Sequence, residues 1–374
     1  MKKILLVNNT LGGIISFRKN LIEELESNGY KVAVIADSEG KEKPKNMRFI
    51  DLRLNRRGVN PFEDMKLILN YLKLYRQEKP DIILHYTIKP NIYGTLAAQV
   101  LRIPCINTVN GCGSAFLKTN FVGKIVRKLY RLSFKFPRKV LFQNPDDMQE
   151  FLQRDIVSKK QSKRVYGSGV DIGRFYPMER EKNREYTVFL FIGRLIKEKG
   201  IEIFCKVAEE FQKRENKVKF QILGEINLSE KDSISQEYLF KLVNRGTVEY
   251  LGVSTDVREE IRNCDCLLFP SYYREGVPRS LLEGGAMGKA LLTTNSPGCK
   301  ETVENGFNGY LIEPKDLRDT VRKVEDYLRL SKEEKEKMGK NSRKKIIREF
   351  DEKEVFKTYM SSIEKIFKGE EEYE

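Results

Sequence analysis

Hydrophobic residues follow two alternating rhythms along the chain. Residues 4–7 and 32–36 are unbroken aliphatic runs, the pattern of strands buried on both faces of a parallel sheet. Between them Phe17, Leu21, Ile22 and Leu25 recur at helical spacing and predict a helix over 17–27. The alternation continues with a helix at 64–77, a strand at 82–84, a small-residue helix at 93–101 and a strand at 105–109. It restarts at strand 188–192, then helix 201–212, strands 219–223 and 266–269, helix 281–287, strand 290–293 and helix 317–328. Strand-helix alternation of this kind predicts a doubly wound parallel sheet, and glycines and prolines gathered at 167–177 separate two of them. The expected fold class is therefore α/β: two Rossmann-like domains, 1–168 and 174–350, facing a central cleft. Ligands of such sheets bind beyond the carboxyl ends of the strands.

A length of 374 residues suits two domains, and 40% hydrophobic with 33% charged residues describes a globular chain with a charged surface. No apolar run approaches the roughly 20 residues of a spanning helix. The basic start is followed by an apolar stretch of only residues 4–7, too short for a signal peptide, so the expected location is the cytoplasm.

Charge changes the picture. Residues 1–175 hold 32 Lys and Arg against 16 Asp and Glu, whereas the remainder holds 37 against 38. The whole +15 excess lies in the first half and points there to an anionic partner: nucleic acid, a membrane surface or a phosphorylated substrate. Residues 118–139 contain Lys118, Lys124, Arg127, Lys128, Arg131, Lys135, Arg138 and Lys139 and no acid. Val122, Ile125, Leu129, Leu132 and Phe136 recur there at alternating spacings of three and four, as on one face of a helix. Such a helix either lies in an anionic bilayer interface or turns its apolar face to the core; the absence of acids favours the bilayer.

Several motifs carry little chemistry. The six cysteines include no C-x-x-C, and Cys264-Asp265-Cys266 fits a buried strand at least as well as a metal site without partner ligands. His85, the single histidine, stands at a strand end, where a structural role is favoured over a catalytic one. Asn8-Asn9-Thr10-Leu11-Gly12-Gly13 either approaches a phosphate or makes a tight turn. Gly167-Ser168-Gly169-Val170-Asp171 lacks a third glycine and disfavours a dehydrogenase.

The second half is sharper. In Gly193-Arg194-Leu195-Ile196-Lys197-Glu198-Lys199-Gly200, two cations five positions apart follow a strand and suit a diphosphate. In Glu275-Gly276-Val277-Pro278-Arg279-Ser280-Leu281-Leu282-Glu283, two carboxylates eight positions apart flank a Gly-x-Pro turn and a helix start. Carboxylates accept hydrogen bonds from sugar and ribose hydroxyls, while a helix start faces phosphate.

These two segments, with TTNSPGCKETVENGFNGYLIEP downstream, resemble the donor domain of family-4 retaining glycosyltransferases of the GT-B fold. RRGVNPFEDMKLI, TIKPNIYGTLAA and NGCGSAF are similar to the branch that builds bacterial surface polysaccharides (capsule and O-antigen) and lipid-linked oligosaccharides. The resemblance implies a UDP-sugar donor, transfer of a hexose or N-acetylhexosamine with retention, no metal, and a last helix in 351–374 that crosses back to the first domain. It also implies that Arg194 and Lys199 grip the diphosphate, Glu283 holds the ribose and Glu275 contacts the sugar. Gly276, Val277, Pro278, Ser280, Leu281 and Leu282 would cradle phosphate, with N–H groups from 277–282, and Gly13 would border the reaction centre. Where many relatives have a histidine, this chain has Asn110, which cannot be a cation. The basic first half then implies a lipid-linked (undecaprenyl diphosphate) acceptor, contacted by Arg18, Lys89 and Asn110, and a peripheral place on the inner face of the membrane.

Rival readings differ in what they require. Nucleic-acid binding rests on charge alone and leaves Glu275 and Glu283 unused. A sugar-nucleotide epimerase would bind the same donor but needs a proton-transfer pair, and a transferase with a soluble acceptor needs no membrane surface.

Overall fold

The computed structural model describes residues 1–55, 60–113, 116, 120–179, 185–214, 217–227 and 232–370. It divides into two units, Met1–Ser168 with Lys353–Glu374, and Gly169–Glu352.

In the first unit the aliphatic runs become the strands β1 (Lys3–Thr10), β2 (Lys31–Asp37), β3 (Arg48–Asp51), β4 (Ile82–Tyr86), β5 (Cys105–Val109), β6 (Lys139–Phe142) and β7 (Ser162–Arg164). Their order is β3-β2-β1-β4-β5-β6-β7, and every pairing is parallel. Alternate residues of β1 feed separate cores on the two faces: Leu5 and Val7 on one, Ile4 and Leu6 on the other. The order reverses at the β1–β4 junction, which opens a crevice at the carboxyl ends of those strands.

The helices are α1 (Leu11–Ser27), α2 (Pro61–Glu78), α3 (Thr95–Val100), α4 (Phe121–Ser133) and α5 (Pro145–Gln153). Two begin earlier than periodicity predicts because caps set their starts: Thr10 Oγ1 accepts from Gly13 N, and Asn60 Oδ1 accepts from Phe62 N. A wide helical turn, Pro90–Gly94, leads into α3.

Residues 118–139 are not one helix. α4 stops at Ser133, and Lys139 belongs to β6, where it is 8% exposed and pairs with Ile106. The core side of α4 is formed by Tyr130 and the following Phe134, in an aromatic cluster with Phe116 and Phe151. Leu132 and Phe136 of the expected stripe are consequently exposed. Lys118 lies outside the described residues, as do Arg56–Val59, Ser114 and Ala115 of the segments quoted for the family resemblance.

The second unit repeats the scheme with β8 (Thr187–Ile192), α6 (Ile201–Gln212), β9 (Val218–Leu223), α7 (Gln236–Asn244), β10 (Glu249–Tyr250), α8 (Arg258–Asn263), β11 (Cys266–Phe269), α9 (Arg279–Ala286), β12 (Ala290–Thr294), β13 (Gly309–Ile312), α10 (Leu317–Arg329) and α11 (Lys332–Phe350). The strand order β10-β9-β8-β11-β12-β13 reverses between β8 and β11. α12 (Glu352–Lys368) returns to the first unit, burying Val355, Tyr359 and Ile363 beside Leu6 and Leu84; Tyr359 bonds Thr108 across 2.7 Å.

Candidate functional site

Three loops leave the carboxyl edge of the second sheet at its switch point, after β8, β11 and β12. Glycines let their backbones touch. A methyl group on Gly200 (φ +81°), after β8, would stand 2.1 Å from the Pro270 carbonyl oxygen, after β11. One on Gly298 (φ +85°) would stand 2.3 Å from that of Gly276. Glu198 O accepts from Tyr272 N and Tyr273 N at 2.9 and 2.8 Å, which joins the first two loops. No other residue type fits at such separations.

This stitching brings Lys199 to Glu275, Nζ to Oε1, at 3.2 Å, both side chains largely buried. Ser271, fully buried, donates to the same Oε1 at 3.4 Å. Thr294 at the end of β12 donates to Ser271 O and holds that turn. Arg194 stands exposed at the start of the β8 loop. Glu283 sits in α9 with Arg279 Nε 2.8 Å from its Oε1; burial raises its carboxyl above the ordinary range, and Arg279 opposes the rise. Sequence reasoning passed over Ser271 and Thr294, whose only signal is their place at strand ends beside the acidic loop.

Gly276, Val277 and Pro278 form the turn into α9, all three buried, with Ser280 in its first turn. One expectation is corrected here. The N–H groups of Leu281 and Leu282 already bond Pro278 O at 3.2 and 3.3 Å, and both side chains are fully buried. They hold the helix to the core instead of facing a phosphate.

In the first unit the corresponding edge gathers Asn8, Gly13, Thr87 and Asn110. Asn8 Oδ1 accepts from Asn9 N at 2.7 Å and from Thr87 Oγ1 at 3.4 Å. A methyl group on Gly13 would meet Asn8 Nδ2 at 2.9 Å and Thr10 Oγ1 at 3.1 Å, so this glycine packs closely against both side chains. Thr87 has φ +69°, a strained conformation for a β-branched residue and one that clusters at functional edges. The next loop is pinned from below, where buried Asp147 accepts from Cys112 N at 3.0 Å and from its thiol at 3.1 Å.

Arg18 is not an exposed contact. It is 3% exposed, stacks 4.3 Å from the Tyr86 ring centroid and donates to Asn110 Oδ1 at 3.1 Å. The half-buried Asn110 thus stands in front of a guanidinium and has its Nδ2 to offer a ligand. Lys89 is likewise not a free cation: it is buried and pairs with Asp64 at 2.8 Å. Tyr93 completes that cluster by donating to Asp64 at 2.7 Å.

His85 is a core residue. Its Nδ1 donates to Asn107 Oδ1 and its Nε2 accepts from Tyr75, both at 3.0 Å, and burial lowers its pKa to about 4. The six cysteines are buried thiols, with Cys264 Sγ donating to Ile261 O at 3.3 Å.

Residues 175–345 match the family described as Glycosyl transferases group 1, and residues 3–144 match Glycosyl transferase 4-like. The chain is a family-4 glycosyltransferase. An N,N'-diacetylbacillosaminyl-diphospho-undecaprenol alpha-1,3-N-acetylgalactosaminyltransferase of Campylobacter jejuni is 27% identical over 95% of this chain and 96% of its own. A UDP-Gal:alpha-D-GlcNAc-diphosphoundecaprenol alpha-1,3-galactosyltransferase of Escherichia coli is 26% identical over 79% of this chain and 78% of its own. The HepE protein of Anabaena, solved with UDP and glucose, superposes with a TM-score of 0.79 at 16% identity, over 97% of this chain and 100% of that one. The glycosyltransferase has the GT-B fold, and both of its halves are assigned to sugar transfer, which leaves the epimerase reading without support.

Proposed function

We propose that this glycosyltransferase moves a hexose or N-acetylhexosamine from a UDP-sugar to a saccharide carried on undecaprenyl diphosphate, with retention at the anomeric carbon. The Lys199–Glu275 pair carries the reading, because a cation and a carboxylate held together at a switch point match the two halves of a sugar diphosphate. When the donor binds, its diphosphate takes over the Lys199 ammonium and Arg194 adds a second charge. Glu275 is released to accept from the sugar hydroxyls, and Glu283 accepts from the ribose. The bond from the anomeric carbon to the phosphate oxygen breaks while the acceptor oxygen bonds on the same face. The acceptor proton passes to the departing phosphate oxygen. Charge grows on the leaving diphosphate, where fixed cations act most strongly, and no metal ion is needed.

The acceptor belongs to the first unit in this reading, at the edge formed by Asn8, Thr87 and Asn110. The acceptors named in the Campylobacter and Escherichia relatives, both diphospho-undecaprenol sugars, support a lipid-linked one. Lys124, Lys128, Arg131, Lys135 and Arg138 are exposed beside Leu132 and Phe136, which suits peripheral contact with an anionic inner membrane face. No described helix is long and apolar enough to cross a membrane.

The test is transfer of label from a panel of nucleotide sugars to a bacterial lipid extract, counted in the organic phase, with Glu275→Gln and Arg194→Ala alongside. Label extracted with one UDP-sugar and lost in both variants supports the reading. Label that stays in the aqueous phase on a soluble glycan overturns the lipid-linked acceptor.

A further inference from the structure

The amino-terminal edge of the first sheet, opposite the edge that carries Asn110, holds a groove of about 890 Å³. It is walled by the chain entering β5, β6 and β7 and by the end of α12. Six cations line it, Arg102, Lys135, Arg138, Lys139, Lys160 and Lys365, against one acid, Glu370. α4, about 20 Å long for its 13 residues, runs from the Asn110 edge to this one and separates the two.

Some of this charge has local work. Lys139 Nζ donates to Lys160 O at 3.0 Å, so a buried ammonium sits in the wall. Gln161 Nε2 donates to Phe134 O and Pro137 O, both at 2.7 Å, and braces the turn that carries Lys135 and Arg138. The side chains of Arg102, Lys135 and Arg138 have no ion-pair or hydrogen-bond partner among the described residues, and all three are exposed. Two guanidiniums and an ammonium left over in one groove are the donor set for phosphate oxygens, since arginine meets such groups with paired N–H bonds. Phe136, Ile103 and Ile366 line the same groove, and apolar side chains beside exposed cations suit a lipid headgroup.

We propose that this groove binds a phosphate-bearing anion, namely the headgroup of an anionic phospholipid. The inference deepens the membrane part of the proposed function and is independent of its donor chemistry. Headgroup capture at this edge would anchor the first unit through a site separate from the one that takes the acceptor.

The experiment is co-sedimentation of the full chain with phosphatidylglycerol and with phosphatidylcholine vesicles, together with calorimetric titration of inorganic phosphate. The groove variant Arg102→Gln/Lys135→Gln/Arg138→Gln leaves buried Lys139 in place and is compared with the helix variant Lys124→Gln/Lys128→Gln. The groove variant is expected to lose on the order of 100-fold in phosphatidylglycerol binding, more than the helix variant, while keeping its melting temperature and its UDP affinity. Saturable phosphate binding that the groove variant loses, without vesicle binding by the parent, keeps the anion site and assigns it to soluble phosphate. Wild-type vesicle binding by the groove variant overturns the inference; if the helix variant then fails to bind, the membrane reading survives it. Absence of both vesicle and phosphate binding in the parent overturns both.

Discussion

Lys199 and Glu275 show how one side chain prepares another. Two largely buried opposite charges at 3.2 Å hold each other in place, and the proposed donor would separate them. Lys199→Ala is expected to lower kcat/KM on the order of 100-fold and to weaken UDP binding, measured by initial rates and calorimetry. Glu275→Gln should spare UDP affinity and lower kcat with the sugar donor, since its proposed contact is the sugar. Because these cations are proposed to meet the diphosphate themselves, chelation with EDTA is expected to leave the rate within about twofold. The types of these residues and their spacing were readable in the chain. Their pairing was not, because it depends on the backbone contact of two loops separated by some seventy positions. Asn110 makes the same point: the missing histidine was visible, and the guanidinium behind the substitute was not. Arg18 comes from α1, far along the chain, and meets Asn110 only through the β1–β4–β5 neighbourhood.

Among the elements, the loops after β8, β11 and β12 behave as one unit because glycine permits their contact. Gly298→Ala would force a methyl group against the Gly276 and Glu275 carbonyl oxygens at 2.3 and 2.6 Å, in a left-handed conformation. It is expected to destabilise the second unit by about 1–3 kcal/mol and to abolish UDP binding, read by urea midpoint and calorimetry. Gly306→Ala is the control, with φ +77° and nothing within 4 Å of the added methyl, and should cost about 1 kcal/mol without touching nucleotide affinity. α4 shows where periodicity misleads. A spacing of three and four marks an apolar face, but Tyr130 and Phe134 one step round the helix found the aromatic partners, so the core took these with Leu129 and left Leu132 and Phe136 exposed. The basic segment then split between a helix, a turn and a buried strand because β6 needed a hydrogen-bonding place beside β5.

For the whole molecule, two buried ionisable groups of the first unit tie stability to pH. The unfolded chain protonates His85 near 6.5, while the folded chain resists until about 4. Stability therefore falls as pH drops through that window. Glu78 adds a second decline. Hydrogen bonds from Arg48, then Lys3, hold its carboxyl at about 2 against an ordinary 4.5, so this contribution is present above 4.5 and lost toward 2. Urea midpoints recorded from pH 7 to pH 3 should fall throughout, and Glu78→Gln should flatten the lower part while leaving the decline that begins near 6.5.

The chain by itself determined the two parallel sheets, because strands buried on both faces must be continuous aliphatic runs and crossover helices must show a 3.6-residue period. It also carried the motifs proposed to hold the donor, since diphosphate and hydroxyl recognition demand particular residue types at strand ends. Only the tertiary structure decided which of those residues are buried and which are paired. Burial withdrew Lys89, Leu281 and Leu282 from the candidate surface by giving them partners in the core. Strand order did the rest. It set three loops edge to edge in the second sheet and left three cations without a partner among the described residues, in a groove at the far edge of the first. Spacing along a chain reports periodicity within an element; neighbours across a sheet are set by topology, which no local pattern encodes.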